Sequence, residues 1–220
     1  MALMKTISIA APCNGSGKTS LILALLHTFP DLFAVTKFTT IYKEEQFCPT
    51  KDHDCACHRL VGDYLICNDP AILSQPDTDT GKIWRAGARQ TLWCVARHEG
   101  YPKLVEEFLS RHLTPGIPHL MEGNTVVRYL EPTMQLYLFN PLLPRSWWKS
   151  DMEEFLEKTD WVVINPHSDR EDNAAWNDTM KSNPLLEPYR EKCIWLENPA
   201  TLHDWTDQRL YQAVSELLTA

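Results

Sequence analysis

Residues 3–28 read Leu-Met-Lys-Thr-Ile-Ser-Ile-Ala-Ala-Pro-Cys-Asn-Gly-Ser-Gly-Lys-Thr-Ser-Leu-Ile-Leu-Ala-Leu-Leu-His-Thr. This stretch reads as a strand, a phosphate-binding loop and a helix, and each piece supports the next. Ile7 and Ile9, with Ala10 and Ala11, suit a buried strand. Gly15 and Gly17 let the backbone turn tightly and bring its N–H groups close to a ligand. A helix opening at Lys18 points its positive end at the same place, so an anion there is stabilised twice over. The amides of Asn14, Gly15, Ser16, Gly17, Lys18 and Thr19 are the candidate cradle, with Ser20 following in the helix. Lys18, also the first candidate for a catalytic role, would neutralise β/γ-phosphate charge, and Thr19 would give an oxygen to Mg²⁺.

The loop departs from the usual pattern at one position. Aligned on Gly-x-x-x-x-Gly-Lys-[Ser/Thr], the first glycine is replaced by Pro12. Proline fixes φ near −65° and has no N–H to donate. Binding of ATP or GTP is expected to survive this change better than fast turnover, so at most a slow nucleoside triphosphatase is expected.

The 220 residues suit a single domain spanning 1–220 with a sizeable core. Net charge is −8, with 29 acidic against 21 basic side chains and no Lys/Arg cluster, which argues against a nucleic-acid surface. No apolar run approaches bilayer length, and the stretch before Lys18 is too short for a signal peptide. A cytoplasmic location is expected. There, seven cysteines point to thiols or metal sites rather than a disulfide framework.

Beyond the first helix, residues 32–38 read as a strand. Residues 41–80 read as a long polar, Cys-rich insertion with a short helix near 57–63. Further strands are expected at 90–96, 118–121, 134–139, 161–165 and 192–196. Helices are expected at 81–87, 101–112 and 202–218, the second amphipathic through Leu104, Phe108 and Leu109. Residues 141–150, with two tryptophans, read as a loop. Strands alternating with helices argue an α/β fold with a mostly parallel central sheet flanked by helices.

Ligands of such sheets bind beyond the carboxyl ends of the strands. Lys37, Thr39–Thr40, Glu122–Gly123–Asn124, Asn140 and the stretch 165–169 are therefore the residues to inspect. Glu122 follows an apolar run, where a carboxylate holds the Mg²⁺ shell or positions a water. Pairing with a lysine or capping a loop amide is the structural alternative, and the sequence leaves both open. The run Asn-Pro-His-Ser-Asp at 165–169 matches a guanine-reading Asn-Lys-x-Asp only loosely, because proline replaces lysine and the Asp falls one position late.

Taken in order, four landmarks give a resemblance. They are Asn14 to Thr19 after the first strand, Val35-Thr36-Lys37 ending the second, Asp79-Thr80 leading to Arg85-Ala86-Gly87-Ala88, and Met121-Glu122-Gly123 closing a later strand. Over roughly residues 4–125 the chain resembles the MobB-like P-loop NTPases, the adaptor family of molybdopterin–guanine dinucleotide biosynthesis. The resemblance implies that Lys37, Asp79 and Glu122 line the nucleotide and metal site, with Arg85–Ala88 packed beside it. Thr19, Asp79 and Glu122 would then serve Mg²⁺, and Lys18 and Glu122 would carry any catalysis. Pro12, the Cys-rich insertion and the tryptophan-rich C-terminal third depart from the family's pattern.

Cys48, Cys55, Cys57 and Cys67 fall within twenty residues, interleaved with His53 and His58. Thiolates and imidazoles are the ligands that Zn²⁺ and iron–sulfur clusters prefer. The spacing matches no standard zinc ribbon or ferredoxin run, so the signal is density, and Cys67 in a short strand is the alternative. Cys94 and Cys193 sit in apolar strand patterns. Together these features suggest a nucleotide-binding protein assisting maturation or insertion of a metal-containing cofactor. The expected partners are a nucleotide and a metalloenzyme client or cofactor-synthesis enzyme, with a homodimer left open and neither nucleic acid nor membrane expected. A small-molecule kinase using the same loop is the alternative, with Arg85, Arg89 and Arg97 as scattered candidates for its substrate pocket.

Overall fold

The structure, a computed structural model, describes residues 4–41, 62–141, 143–149, 152–165, 185–196, 201–205 and 207–220. Among them are the strands β1 (Thr6–Ala10), β2 (Ala34–Ile41), β3 (Tyr64–Cys67), β4 (Gln90–Arg97), β5 (His119–Glu122), β6 (Met134–Phe139), β7 (Trp161–Ile164) and β8 (Cys193–Trp195). They form one sheet in the order β3-β4-β2-β5-β1-β6-β7-β8. The helices are α1 (Lys18–Thr28), α2 (Pro70–Leu73), α3 (Asp79–Arg85), α4 (Tyr101–Arg111), α5 (Met152–Lys158) and α6 (Arg209–Thr219). The chain divides into two compact units, Met1–Ser8 with Phe29–Thr133 and Ile9–Thr28 with Met134–Ala220, and it passes from one to the other within β1.

In the first unit β2 pairs in parallel with both β4 and β5, and β3 runs antiparallel to β4. Every residue of β5 is buried, as expected of a strand covered on both faces of a parallel sheet. The amphipathic helix is present: α4 buries Leu104, Val105 and Phe108, a one-face spacing of three and four. Phe108 meets Phe38 of β2 edge to face, with ring centroids 5.2 Å apart. The expected insertion at 41–80 is in part sheet. Residues 64–67 form the edge strand β3, and Asp69 caps α2 by accepting from the Ala71 amide at 3.0 Å. The helix expected near 57–63 falls almost wholly outside the described residues.

In the second unit β6, β7 and β8 run parallel to one another. All six residues of β6 are buried, and α1 buries Leu21, Ile22, Ala24, Leu25 and Leu26. Helix α5, which the sequence reading left unassigned, buries Met152, Phe155 and Leu156 at helical spacing. The closing helix is shorter than expected, because residues 202–204 form a separate 3₁₀ turn before α6 begins at Arg209. That turn is held from α1: the Leu202 amide donates to Thr28 Oγ1 at 2.7 Å. Arg209 anchors α6 by donating to the carbonyls of Glu191 and Cys193 at 2.8 and 2.7 Å, while pairing with Asp207. Of the two loop tryptophans, Trp147 is exposed, whereas Trp148 packs against Phe139 with ring centroids 5.1 Å apart.

Candidate functional site

The strand–loop–helix at the start of the chain forms as the sequence predicts. Gly15 and Gly17 both adopt positive φ, 75° and 96°. Three of the loop's carbonyls are engaged by the protein. Pro12 O accepts from the Lys149 amide at 2.9 Å, Cys13 O from Ser16 Oγ at 2.9 Å, and Ser16 O from Asn165 Nδ2 at 3.1 Å. Carbonyls held in this way leave the loop's N–H groups to an anion, which is what a cradle needs. The Gly17 carbonyl accepts from the Leu21 amide, the first closed turn of α1. Amides N-terminal to that turn have no acceptor within the helix.

Exposure follows the same division. Asn14 and Gly15 are exposed, Gly17, Lys18, Thr19 and Ser20 are half-buried, and Ser16 is buried as the loop's internal brace. The Lys18 ammonium lies 3.5 Å from the Cys13 carbonyl, folded back along the loop. No acidic side chain stands in the first turn of α1, so the helix's positive end is not neutralised from within. Pro12 is buried and contributes its carbonyl as an anchor.

Asn165 is the contributor that sequence reasoning did not assign a role. It directly follows β7, is almost fully buried, and a Cβ on Gly17 would fall on its carboxamide. Its position at a strand end was the available signal, and the mismatch with a base-reading motif concealed its part as a brace under the loop.

The first unit carries a second cluster, at the carboxyl ends of β2 and β5. Register places Lys37 of β2 beside Glu122 of β5 and Trp93 of β4. The Lys37 ammonium is paired with Asp79 Oδ2, and Glu122 Oε1 lies 3.7 Å from it. Asp79 is placed by the start of α3, where Thr78 Oγ1 accepts from the Gly81 amide at 2.9 Å. Burial works to lower the Lys37 pKa, but the charges of Glu122 and Asp79 outweigh it and hold the group above the ordinary lysine value. Glu122 is 5% exposed, and its Oε2 is buried without a hydrogen-bond partner among the described residues. Gly123 follows at φ 149°, where a Cβ would stand 2.8 Å from the Phe38 carbonyl, so Glu-Gly is the pair that lets β5 end against β2. The lysine pairing left open by the sequence is therefore present, and one carboxylate oxygen is left over.

Nearby polar groups satisfy one another. Trp93 Nε1 donates to Thr39 Oγ1 at 2.9 Å, and Thr40 Oγ1 lies 2.8 Å from Tyr101 OH and 2.7 Å from Thr125 Oγ1. Arg85 is spent on the Pro76 carbonyl and Arg97 on that of Gly62, both at 2.6 Å, which takes two of the three arginines considered for a kinase pocket into loop support.

Cys48, Cys55 and Cys57 lie outside the described residues. Cys67 is buried against Ile72 and Leu73, with Leu65 and Trp93 beside it. Among the described residues no group of three or more His, Cys, Asp or Glu side chains is placed to hold a metal ion. Cys94 is fully buried, as expected, and Cys193 is half-buried, its thiol donating to the Tyr189 carbonyl at 3.3 Å. Among the described residues no helix is long and apolar enough to cross a membrane.

No protein-family model matches the chain, and no curated protein does. Solved structures do. The hydrogenase maturation factor HypB from Archaeoglobus fulgidus matches with a TM-score of 0.51 at 13% identity, over 98% of this chain and 90% of its own. LpxK from Aquifex aeolicus, solved with ATP, matches with a TM-score of 0.42 at 15% identity, over 73% of this chain and 48% of its own. The likeness to HypB, with the mostly parallel sheet and the Gly-Ser-Gly-Lys-Thr loop at the start of α1, decides the architecture. The fold is that of a P-loop NTPase. At these identities the likeness reaches no family within that fold.

Proposed function

We propose that the protein binds a Mg²⁺–nucleoside triphosphate, ATP or GTP, at residues 14–20 and uses it in the maturation or insertion of a metal-containing cofactor. The observation that carries the nucleotide half is the geometry of the loop: the carbonyls of Pro12, Cys13 and Ser16 engaged, two glycines at positive φ, and Lys18 opening a helix with no acidic residue in its first turn. In this reading Lys18 offsets phosphate charge, and Thr19 is suited to the metal by its place after Lys18. Mg²⁺ keeps several waters and takes one or two protein carboxylates. Within the first unit, Asp79 and Glu122, whose Oε2 has no hydrogen-bond partner among the described residues, are two carboxylates of the kind such an ion takes.

The maturation half rests on the MobB-like resemblance, on the cysteine density between residues 48 and 67, and on the fold shared with a hydrogenase maturation factor. A metalloenzyme client or cofactor-synthesis enzyme is the corresponding partner. Calorimetry with Mg-ATP and Mg-GTP tests the first half directly. Wild type should bind one of them, and Lys18→Ala should abolish binding without unfolding the protein. Undiminished binding by a folded Lys18→Ala variant would refute the nucleotide reading. Phosphoryl transfer to a small-molecule acceptor, without any metal in the purified protein, would favour the kinase alternative.

A further inference from the structure

The unit that carries the phosphate loop holds an exposed aromatic ring on a segment tied to that loop. Among the described residues the exposed large apolar side chains are Met4, Leu32, Trp84, Tyr129 and Trp147, and Trp147 is the most exposed of them at 60%. It alone of the five belongs to the second unit. It closes a 3₁₀ turn, Arg145–Trp147, its amide donating to the Pro144 carbonyl at 2.9 Å. The next two residues are fixed. Trp148 packs on Phe139, the last residue of β6, and the Lys149 amide holds the Pro12 carbonyl at 2.9 Å. The Phe139 carbonyl in turn accepts from the Asn165 amide at 2.8 Å, and the Asn165 side chain holds the Ser16 carbonyl. The phosphate loop is thus fastened to the segments that follow β6 and β7. Trp147 lies two Cα steps, of about 3.8 Å each, from the residue that grips Pro12.

We propose that Trp147 is the stacking platform for the base of the nucleotide held at residues 14–20. This rests on the nucleotide reading and deepens it by naming what takes the base. A triphosphate seated on the loop leaves its base beyond the carboxyl ends of the neighbouring strands, where open α/β sheets place their ligands. No second large apolar side chain of this unit is exposed with Trp147 among the described residues, so a protein interface, about 800 Å² a side with an apolar centre, has little to build on. One flat ring suits one flat ligand group. Pro12, which has no N–H to offer a phosphate, contributes through its carbonyl, by which the platform is tied to the loop. Every base has a π-face, so such a ring supplies affinity rather than a choice between ATP and GTP. Trp147 is thus a binding residue whose effect is confined to ligands that carry a base.

The test compares two magnesium complexes by calorimetry on the full-length protein. One is the nucleotide that wild type binds, ATP or GTP; the other is tripolyphosphate, which keeps the phosphates and lacks the base. Trp147→Ala should weaken nucleotide binding about tenfold, as loss of one base–aromatic stack does, and leave tripolyphosphate within about twofold of wild type. Trp147→Phe should recover most of the nucleotide affinity. A folded Trp147→Ala protein that binds nucleotide as wild type does overturns the proposal. So does one that loses nucleotide and tripolyphosphate equally, since the ring then supports the loop and not the base. Should Trp147→Ala not fold, fluorine NMR of wild type labelled with fluorotryptophan decides, the Trp147 signal being the one missing from Trp147→Phe. Nucleotide should shift that signal and tripolyphosphate should not; a signal unmoved by nucleotide, or moved alike by both, overturns the proposal. If wild type binds neither ligand, the nucleotide reading fails and the platform with it. Loss of both ligands in Lys18→Ala beside unchanged binding in Trp147→Ala refutes the platform alone.

Discussion

A methyl group added at Gly17 would fall on the carboxamide of Asn165, whereas one added at Gly15 would meet no atom within 4 Å. Both residues hold positive φ, so alanine at either costs about 1–2 kcal/mol for the backbone alone. Only at Gly17 must Asn165 also give way, and with it the buried bond to Ser16 O. Gly15→Ala is therefore expected to lose about 1–2 kcal/mol in urea denaturation and Gly17→Ala clearly more. Adding Asn165→Ala to Gly17→Ala should cost less than the two single losses together, since the clash and the bond are removed at once. Strict additivity would mean that Asn165 does not brace the loop. The glycines were legible in the sequence because phosphate loops need them. The brace was not, because it joins residues 149 positions apart and no local pattern encodes that distance.

At the scale of elements, β5 carries a titratable group at each end, and the two behave differently. Glu122 is held beside Lys37, while His119 at the start of the strand is fully buried, 2.7 Å from Thr36 Oγ1 and edge-on to Phe108. Burial, helped by the charge of His112, lowers its pKa from 6.5 to about 4. The unfolded chain then binds a proton that the folded chain refuses. The stability His119 contributes is full above pH 6.5 and is lost as pH falls toward 4, by about 3 kcal/mol in all. Denaturation curves at pH 7 and pH 4 should differ by about that much less in His119→Gln than in wild type. An unchanged difference would show that His119 is protonated in the native protein.

The same scale shows what the sequence could carry. Strands β1, β5 and β6 read as apolar runs because both their faces are covered, and α4 reads as a helix because only one of its faces is. Helix α5 was hidden, since its apolar positions span only Met152 to Leu156, too few turns for a period to stand out beside a tryptophan-rich loop. The start of the closing helix was misplaced for a tertiary reason. Leu202 belongs to a 3₁₀ turn that Thr28 holds from α1, although its apolar spacing continues that of α6.

For the whole molecule, the choice between cofactor maturation and small-molecule phosphorylation turns on chemistry that the fold does not decide, since P-loop folds host both. The chain's own discriminating feature is the cysteine density between β2 and β3. If that density is a binding site, protein prepared without oxygen should contain stoichiometric zinc or iron, held by at least three of Cys48, Cys55, Cys57 and Cys67. The burial of Cys67 against Ile72 and Leu73 singles it out as the one to be spared. Cys67→Ser is accordingly expected to keep the metal. Cys55→Ser with Cys57→Ser should lose the metal and keep Lys18-dependent nucleotide binding, because the phosphate loop is built from residues remote from them in sequence. A cluster would colour the protein and make it oxygen-sensitive, and zinc would do neither. Metal analysis of anaerobic protein that finds no stoichiometric zinc or iron removes the main support for maturation. The proposed nucleotide site would then stand without that role, and an acceptor for phosphoryl transfer would be the next thing to seek.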